Sequence, residues 1–183
     1  MTCIVGLIEG KKVWLGGDSA AAGPNVISTV SHSKVFKSGV CLIGYTASFR
    51  LGDLLEFAVE PKDQRGVMID RSVLVKQFVP MLQTILEEGK FQVIKDEQAE
   101  SGGAFLIATP SGLFEVQEDY SVLQHAEPYT AIGSGFSYAT GALHALCRVR
   151  LPAREKVKRA LDAAAYHCPT VRPPYTIKSV GLK

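Results

Sequence analysis

The chain alternates between two hydrophobic rhythms. Thr2 to Ile8 is an apolar, β-branched run, Glu9-Gly10-Lys11 suits a turn, and Lys12 to Gly17 carries Val13, Trp14 and Leu15. This pattern predicts a hairpin. Val35-Phe36-Lys37, a Ser38-Gly39 turn and Val40 to Tyr45 predict a second one. The rhythm then changes to helical spacing. Leu51, Leu54, Leu55 and Phe57-Ala58 give an apolar face to a helix over 48–59, with Pro61 as its stop. Leu74, Phe78, Leu82, Ile85 and Leu86 mark a longer helix from Arg71 to Gly89, where Pro80 should introduce a kink. Gly103 to Thr109, a Pro110-Ser111-Gly112 turn and Leu113 to Gln117 return to strands, followed by Tyr129 to Ile132. Gly133-Ser134-Gly135 leads into a small-residue helix that runs to about Val149. Pro152 opens another, with Val157, Ala160, Leu161 and Ala164 on one face and Pro169, Pro173 and Pro174 beyond its end. Tyr175 to Leu182 reads as a final edge strand.

Strands, two helices, strands, two helices, strand is not the order of a dinucleotide-binding fold. It suits an α+β protein whose helices are segregated from antiparallel sheets. Two sheets with helices outside both make a four-layer α-β-β-α sandwich. The 183 residues fit a single domain over 1–183. Hydrophobic residues form 46% of the chain and charged residues 21%, the balance of a soluble globular domain. A formal net charge of +2 offers no basic footprint for nucleic acid. No stretch reaches the roughly 20 apolar residues of a membrane span. The first residues lack the layout of a signal peptide, so a cytoplasmic protein is the expectation. Cys3, Cys41, Cys147 and Cys168 have no ligand spacing and read as four buried thiols. His32, His125, His144 and His167 are equally scattered, and no metal cluster emerges from them.

The chemistry begins at the N-terminus. An initiator Met before a small residue is readily removed, which would leave Thr2 with a hydroxyl nucleophile and a free α-amine. The reference pKa of that amine is about 7.7–8.0, so much of it is neutral near physiological pH and can act as general base. A hydroxyl activated by its own amine is an established nucleophile. Asp18 lies at the end of the strand that pairs with the first, and Lys34 begins the next, so both can return to the Thr2 end of the sheet. A nearby lysine favours a neutral amine and a developing alkoxide. A buried lysine needs a partner, and Asp18 is the natural one. Taken alone, Asp18 suits a turn equally well, and Lys34 a solvated strand end. The run Arg148, Arg150, Arg154, Lys156, Lys158, Arg159 reads as a solvated helix face, with docking to a partner ring as the sharper alternative. Gly133-Ser134-Gly135 followed by Gly141 lacks dinucleotide spacing and a P-loop lysine.

The stretches Thr2-Cys3-Ile4-Val5-Gly6-Leu7, Leu15-Gly16-Gly17-Asp18-Ser19 and Ser33-Lys34-Val35-Phe36 together resemble proteasome β-subunits, and most of all the HslV-like branch. Leu42 to Ser48 resembles the strand that lines the substrate channel, and Ala131 to Ala139 the Gly-Ser-Gly lead into a helix. The likeness spans nearly the whole chain. It implies an N-terminal-nucleophile (Ntn) hydrolase fold and a threonine-type endopeptidase acting on unfolded polypeptide inside a homo-oligomeric ring compartment. Thr2 would attack, Lys34 would lower its pKa with Asp18 holding Lys34, and Ser134 would hydrogen-bond the amine. The N–H near Ala47 would supply an oxyanion hole. Tyr45 would floor the specificity pocket, and backbone beside Ala20 and Ala22 would bind an extended peptide by strand addition. The family often carries an aspartate and a serine where this chain reads Tyr166-His167-Cys168-Pro169-Thr170-Val171, and neither is present. A cysteine in this setting suits the HslV branch, which further implies a structural sodium ion on backbone carbonyls near Cys168 and Val171. No other cofactor is implied. Stacked rings and a separate ATP-dependent unfoldase are the implied partners. An inactive shell or scaffold subunit, and an Ntn amidase acting on a small molecule, are the competing readings.

Overall fold

The structure of the protein, a computed structural model, describes residues 2–23, 25–58, 68–95 and 98–183. Met1, Val59 and Pro61, which the sequence reading invoked, lie outside the described residues. The chain begins β1 (Cys3–Glu9), β2 (Lys12–Gly17), β3 (Ala20–Ala22), β4 (Ile27–Thr29), β5 (Val35–Ser38), β6 (Cys41–Tyr45), α1 (Phe49–Phe57). Then come α2 (Arg71–Val73), a π-helical segment (Leu74–Phe78), α3 (Val79–Glu88), β7 (Val93–Lys95) and β8 (Gln98–Glu100). The last part holds β9 (Phe105–Thr109), β10 (Gly112–Val116), β11 (Val122–Leu123), β12 (Tyr129–Gly133), α4 (Phe136–Leu146), α5 (Ala153–His167) and β13 (Thr176–Gly181).

Two main sheets are present among the described residues, ordered β12-β1-β2-β13 and β11-β10-β9-β6-β5, with all pairs antiparallel. The expected four layers follow from how β1 is buried. Cys3, Val5 and Leu7 face Ala139 and Leu143 of α4 and Val157 and Leu161 of α5. Ile4, on the opposite face, packs between the sheets with Val35, Leu42, Leu106 and Leu113. Burial on both faces explains why the sequence shows an unbroken apolar run here instead of strict alternation. On the far side, Leu51 and Leu55 of α1 and Leu82 and Leu86 of α3 cover Ile43, Phe105 and Ile107. Each such side chain, fully buried, contributes about 1.5–3 kcal/mol.

The sheets approach closely where the site forms. An ideal Cβ at Gly17 would lie 2.9 Å from Ile4 Cδ1, and one at Gly44 2.7 Å from Ile4 Cγ2. Only glycine at these two places lets Ile4 wedge between β2 and β6. The start of β1 is thereby drawn towards the start of β5.

Several local expectations change. The helix expected from Arg71 to Gly89 is not uniform: just before Pro80, which has no N–H to donate, the Val79 N–H reaches back to the Leu74 carbonyl across a π turn. Gly89 is right-handed (φ −72°), and Lys90 (φ 50°) takes the left-handed position that ends α3. Cys147 is exposed, so only Cys3, Cys41 and Cys168 are buried thiols. Lys156 leaves the solvated basic face, because α5 turns it inward against Glu9 of β1. Arg159 and Lys158 remain on that face, paired with Glu155 and Asp162.

Candidate active site

The register of the first sheet sets the site. Cys3 pairs with Gly133 and Ile4 with Gly17, so the start of β1 sits between the ends of β2 and β12. Gly133 has φ +90°, and a Cβ there would fall 2.2 Å from the Thr2 carbonyl oxygen. Any side chain at 133 would push Thr2 away. Ser134 follows at once, so its hydroxyl is delivered beside the Thr2 backbone.

Lys34 is almost fully buried, with its side chain 1% exposed. Its ammonium donates to Thr2 Oγ1 at 2.9 Å, to the Ala20 carbonyl at 2.6 Å, and to Asp18 Oδ1 and Oδ2 at 3.1 and 3.2 Å. All three of its donors are therefore used. Asp18 is anchored in turn by the N–H groups of Cys3 (3.0 Å), Ala20 (2.8 Å) and Arg172 (3.4 Å). Burial pushes the Lys34 ammonium below its usual pKa, and Asp18 opposes that shift. The neighbouring Cys3 thiol is pushed up to about 12 by burial and by the Asp18 carboxylate.

Thr2 has its hydroxyl on Lys34 and its nitrogen donating to Ser134 Oγ at 3.3 Å. That nitrogen is an amide while Met1 is attached and becomes the α-amine once Met1 is removed. Ser134 Oγ also lies 3.2 Å from the Thr2 carbonyl oxygen, 2.9 Å from Thr170 Oγ1 and 3.5 Å from Cys168 Sγ. Cys168 and Thr170 touch at 3.2 Å. Burial raises the Cys168 thiol, but hydrogen bonds with Thr170 and Ser134 outweigh it and leave the thiol below its ordinary value. Sequence reading missed Thr170. The side chain it looked for was a serine, and the same hydroxyl was available on a threonine.

The remaining residues of the sequence reading divide. Ala47 is exposed, holds a left-handed φ of 65°, and its N–H donates to no described group. It follows Thr46, whose methyl lies beside Gly133 and hence beside Thr2. Ala20 does not present its own backbone outward: its N–H is taken by Asp18 and its carbonyl by Lys34, so any strand addition falls to Ala22. Tyr45 is 3% exposed and packs beneath α1 against Gly52, and burial pushes its phenol up to about 12. The Cys168 carbonyl accepts from the Val171 N–H at 3.1 Å, leaving one lone pair for an ion. No cluster of three metal-ligating side chains occurs among the described residues.

No protein-family model matches the sequence, and no curated protein matches it. Solved structures do. BPH from Thiobacillus denitrificans superposes with a TM-score of 0.83 at 22% identity, covering 99% of this chain and 98% of that chain. The same protein in complex with epoxomicin gives 0.83 at 22% identity, covering 99% of each chain. The fold is that of the proteasome-like Ntn hydrolases. Eukaryotic HslV from Trypanosoma brucei shares it at a TM-score of 0.69 and 18% identity, over 98% of this chain and 99% of that one. Anbu (ancestral β-subunit) from Yersinia bercovieri shares it at 0.66 and 14%, over 98% and 81%. At the start of β1, the Lys34 ammonium touches both Thr2 and Asp18. Fold does not by itself fix activity.

Proposed function

We propose that the chain is a threonine-type endopeptidase of the proteasome and HslV kind, with Thr2 as nucleophile after removal of Met1. One observation carries this reading: Lys34 Nζ lies 2.9 Å from Thr2 Oγ1 while Asp18 holds it from the other side. Asp18 and the Ala20 carbonyl compensate the buried ammonium, and its remaining donor faces Oγ1, where it would stabilise an oxyanion.

The chemistry follows from the donors. Lys34 keeps its proton and donates a hydrogen bond to Oγ1, so the Thr2 hydroxyl proton is free to pass to the neutral α-amine. Oγ1 then attacks the scissile carbonyl, and the amine carries the proton to the departing amine of the substrate. Water releases the acyl ester by the same route in reverse. The Ala47 N–H is the oxyanion donor in this scheme, and such a donor is worth about 3–4 kcal/mol. Ser134 orients the amine. Ala22 supplies backbone for an extended peptide, with Tyr45 beneath the pocket. Unfolded polypeptide is the substrate class, because a groove that adds a strand accepts only extended chain. Stacked homo-oligomeric rings, a separate ATP-dependent unfoldase, a cytoplasmic setting and a sodium ion on the Cys168 and Val171 backbone belong to the same proposal. The BPH complex with epoxomicin, a protease inhibitor, supports it by analogy of fold.

Intact mass spectrometry tests the core of it. Met1-free protein incubated with a peptide epoxyketone should gain one inhibitor mass on Thr2, and Thr2→Ala should gain none. Absence of any adduct on protein shown to lack Met1 would sink the reading. Native mass of the same sample reports the ring.

A further inference from the structure

We infer that Phe49 is a positioning residue for this site: its ring, braced by His32, closes the solvent side of the Lys34 ammonium and keeps the Lys34–Thr2 contact dry. The inference rests on the threonine-peptidase reading above. Phe49 is the first residue of α1, set in place by Ser48, whose side chain caps the helix on the Arg50 N–H. Its ring centroid lies 5.9 Å from Lys34 Nζ, within cation–π range. His32 meets the same ring edge-on, at 5.3 Å between centroids and 78° between planes. Exposure rises outward along this contact chain: Lys34 is 1% exposed, Phe49 half-buried and His32 exposed. The three donors of Lys34 already have acceptors in Thr2, Asp18 and Ala20. Phe49 thus adds no hydrogen bond. It adds a π face and excludes water, and both strengthen the field that Lys34 exerts on Thr2.

The consequence is electrostatic. A dry cation next to the Thr2 amine holds that amine neutral to lower pH, and water admitted beside the cation screens the effect. The other charged or titratable groups facing this spot are Asp18, Cys3, His32 and Cys168, with Arg50 exposed on the next helical position.

The test compares wild type, Phe49→Leu, Phe49→Ala and His32→Ala, all Met1-free, by the pH profile of kcat/KM on a fluorogenic peptide. Phe49→Ala should move the acid limb upward by at least about half a pH unit. Its kcat should fall roughly 3- to 30-fold, with KM within about a factor of two. Phe49→Leu keeps the bulk without the π face and should lie between, as should His32→Ala. The Leu variant keeps the test decisive if the Ala variant does not fold. An unmoved acid limb with a raised KM makes Phe49 a pocket wall only and overturns the inference. A wild type that takes no epoxyketone adduct overturns the peptidase reading itself and this inference with it.

Discussion

Among the described residues two lysines are buried, Lys34 and Lys156, and they sit at opposite ends of β1. Lys156 Nζ meets Glu9 at 2.8 Å and the Cys147 carbonyl at 3.5 Å, and the Glu9 side chain is 36% exposed. Lys34 meets Asp18 at 3.1 Å, and that carboxylate is fully cut off from water. Burial, an ion pair and a backbone carbonyl are common to both. The difference lies in one further contact. Lys34 adds a hydroxyl, on a residue that can acquire a free amine. A buried charge by itself is a packing solution; a buried charge aimed at a hydroxyl, with its counterion sealed from solvent, is a candidate site.

The sharpest way to break this comparison is to remove each cation. Lys34→Met should lower kcat/KM roughly 100- to 1,000-fold, since it deletes the charge facing the alkoxide. Lys156→Met should leave kcat/KM within about a factor of two and change only stability. Equal losses in a fluorogenic peptide assay would erase the distinction. Removing the counterions ranks next. Asp18→Asn leaves an uncompensated buried ammonium and should cost about 3–5 kcal/mol in chemical denaturation, whereas Glu9→Gln, at a partly exposed pair, should cost about 1 kcal/mol or less.

The smallest effect concerns the cysteine beside each lysine. Cys3 is held protonated up to about 12 in the fold against an ordinary value near 9.0. Its folded pKa is raised, so its contribution is whole below pH 9 and is lost as pH climbs through 12. Unfolding free energy should therefore decline across that window, and Cys3→Ala should flatten the decline. At pH 9 in native buffer, Ellman's reagent should react with exposed Cys147 and spare Cys3. Rapid labelling of Cys3 would mean that the Thr2 end of β1 is open to water.

Much of the fold was legible in the residues because its signals are local. The runs 3–9 and 12–17, the period of 71–88 and the glycines of 133–135 each specify an element by spacing alone. The short strands β3, β4, β7, β8 and β11 carried no such signal; pairing with a neighbour makes them strands, and no pattern of their own does. Lys156 shows the same limit from the other side. In sequence it belongs to a basic run, and only the docking of α5 on β1 shows which residue of that run turns inward.

The sequence by itself determined the order of the candidate residues and their places: Thr2, Asp18, Lys34 and Ser134 stand at the ends of strands whose hydrophobic runs fix them there. The tertiary structure alone decided who touches whom. Ser134 reaches Thr2 across 132 residues of chain. Thr170 joins Ser134, the Ala20 carbonyl turns to Lys34, and Phe49 covers the ammonium. The reason is register. Element type follows from local periodicity, but a contact between distant residues depends on how two sheets and their helices seat against each other, and small residues such as Gly17, Gly44 and Gly133 set that seating through the space they leave empty.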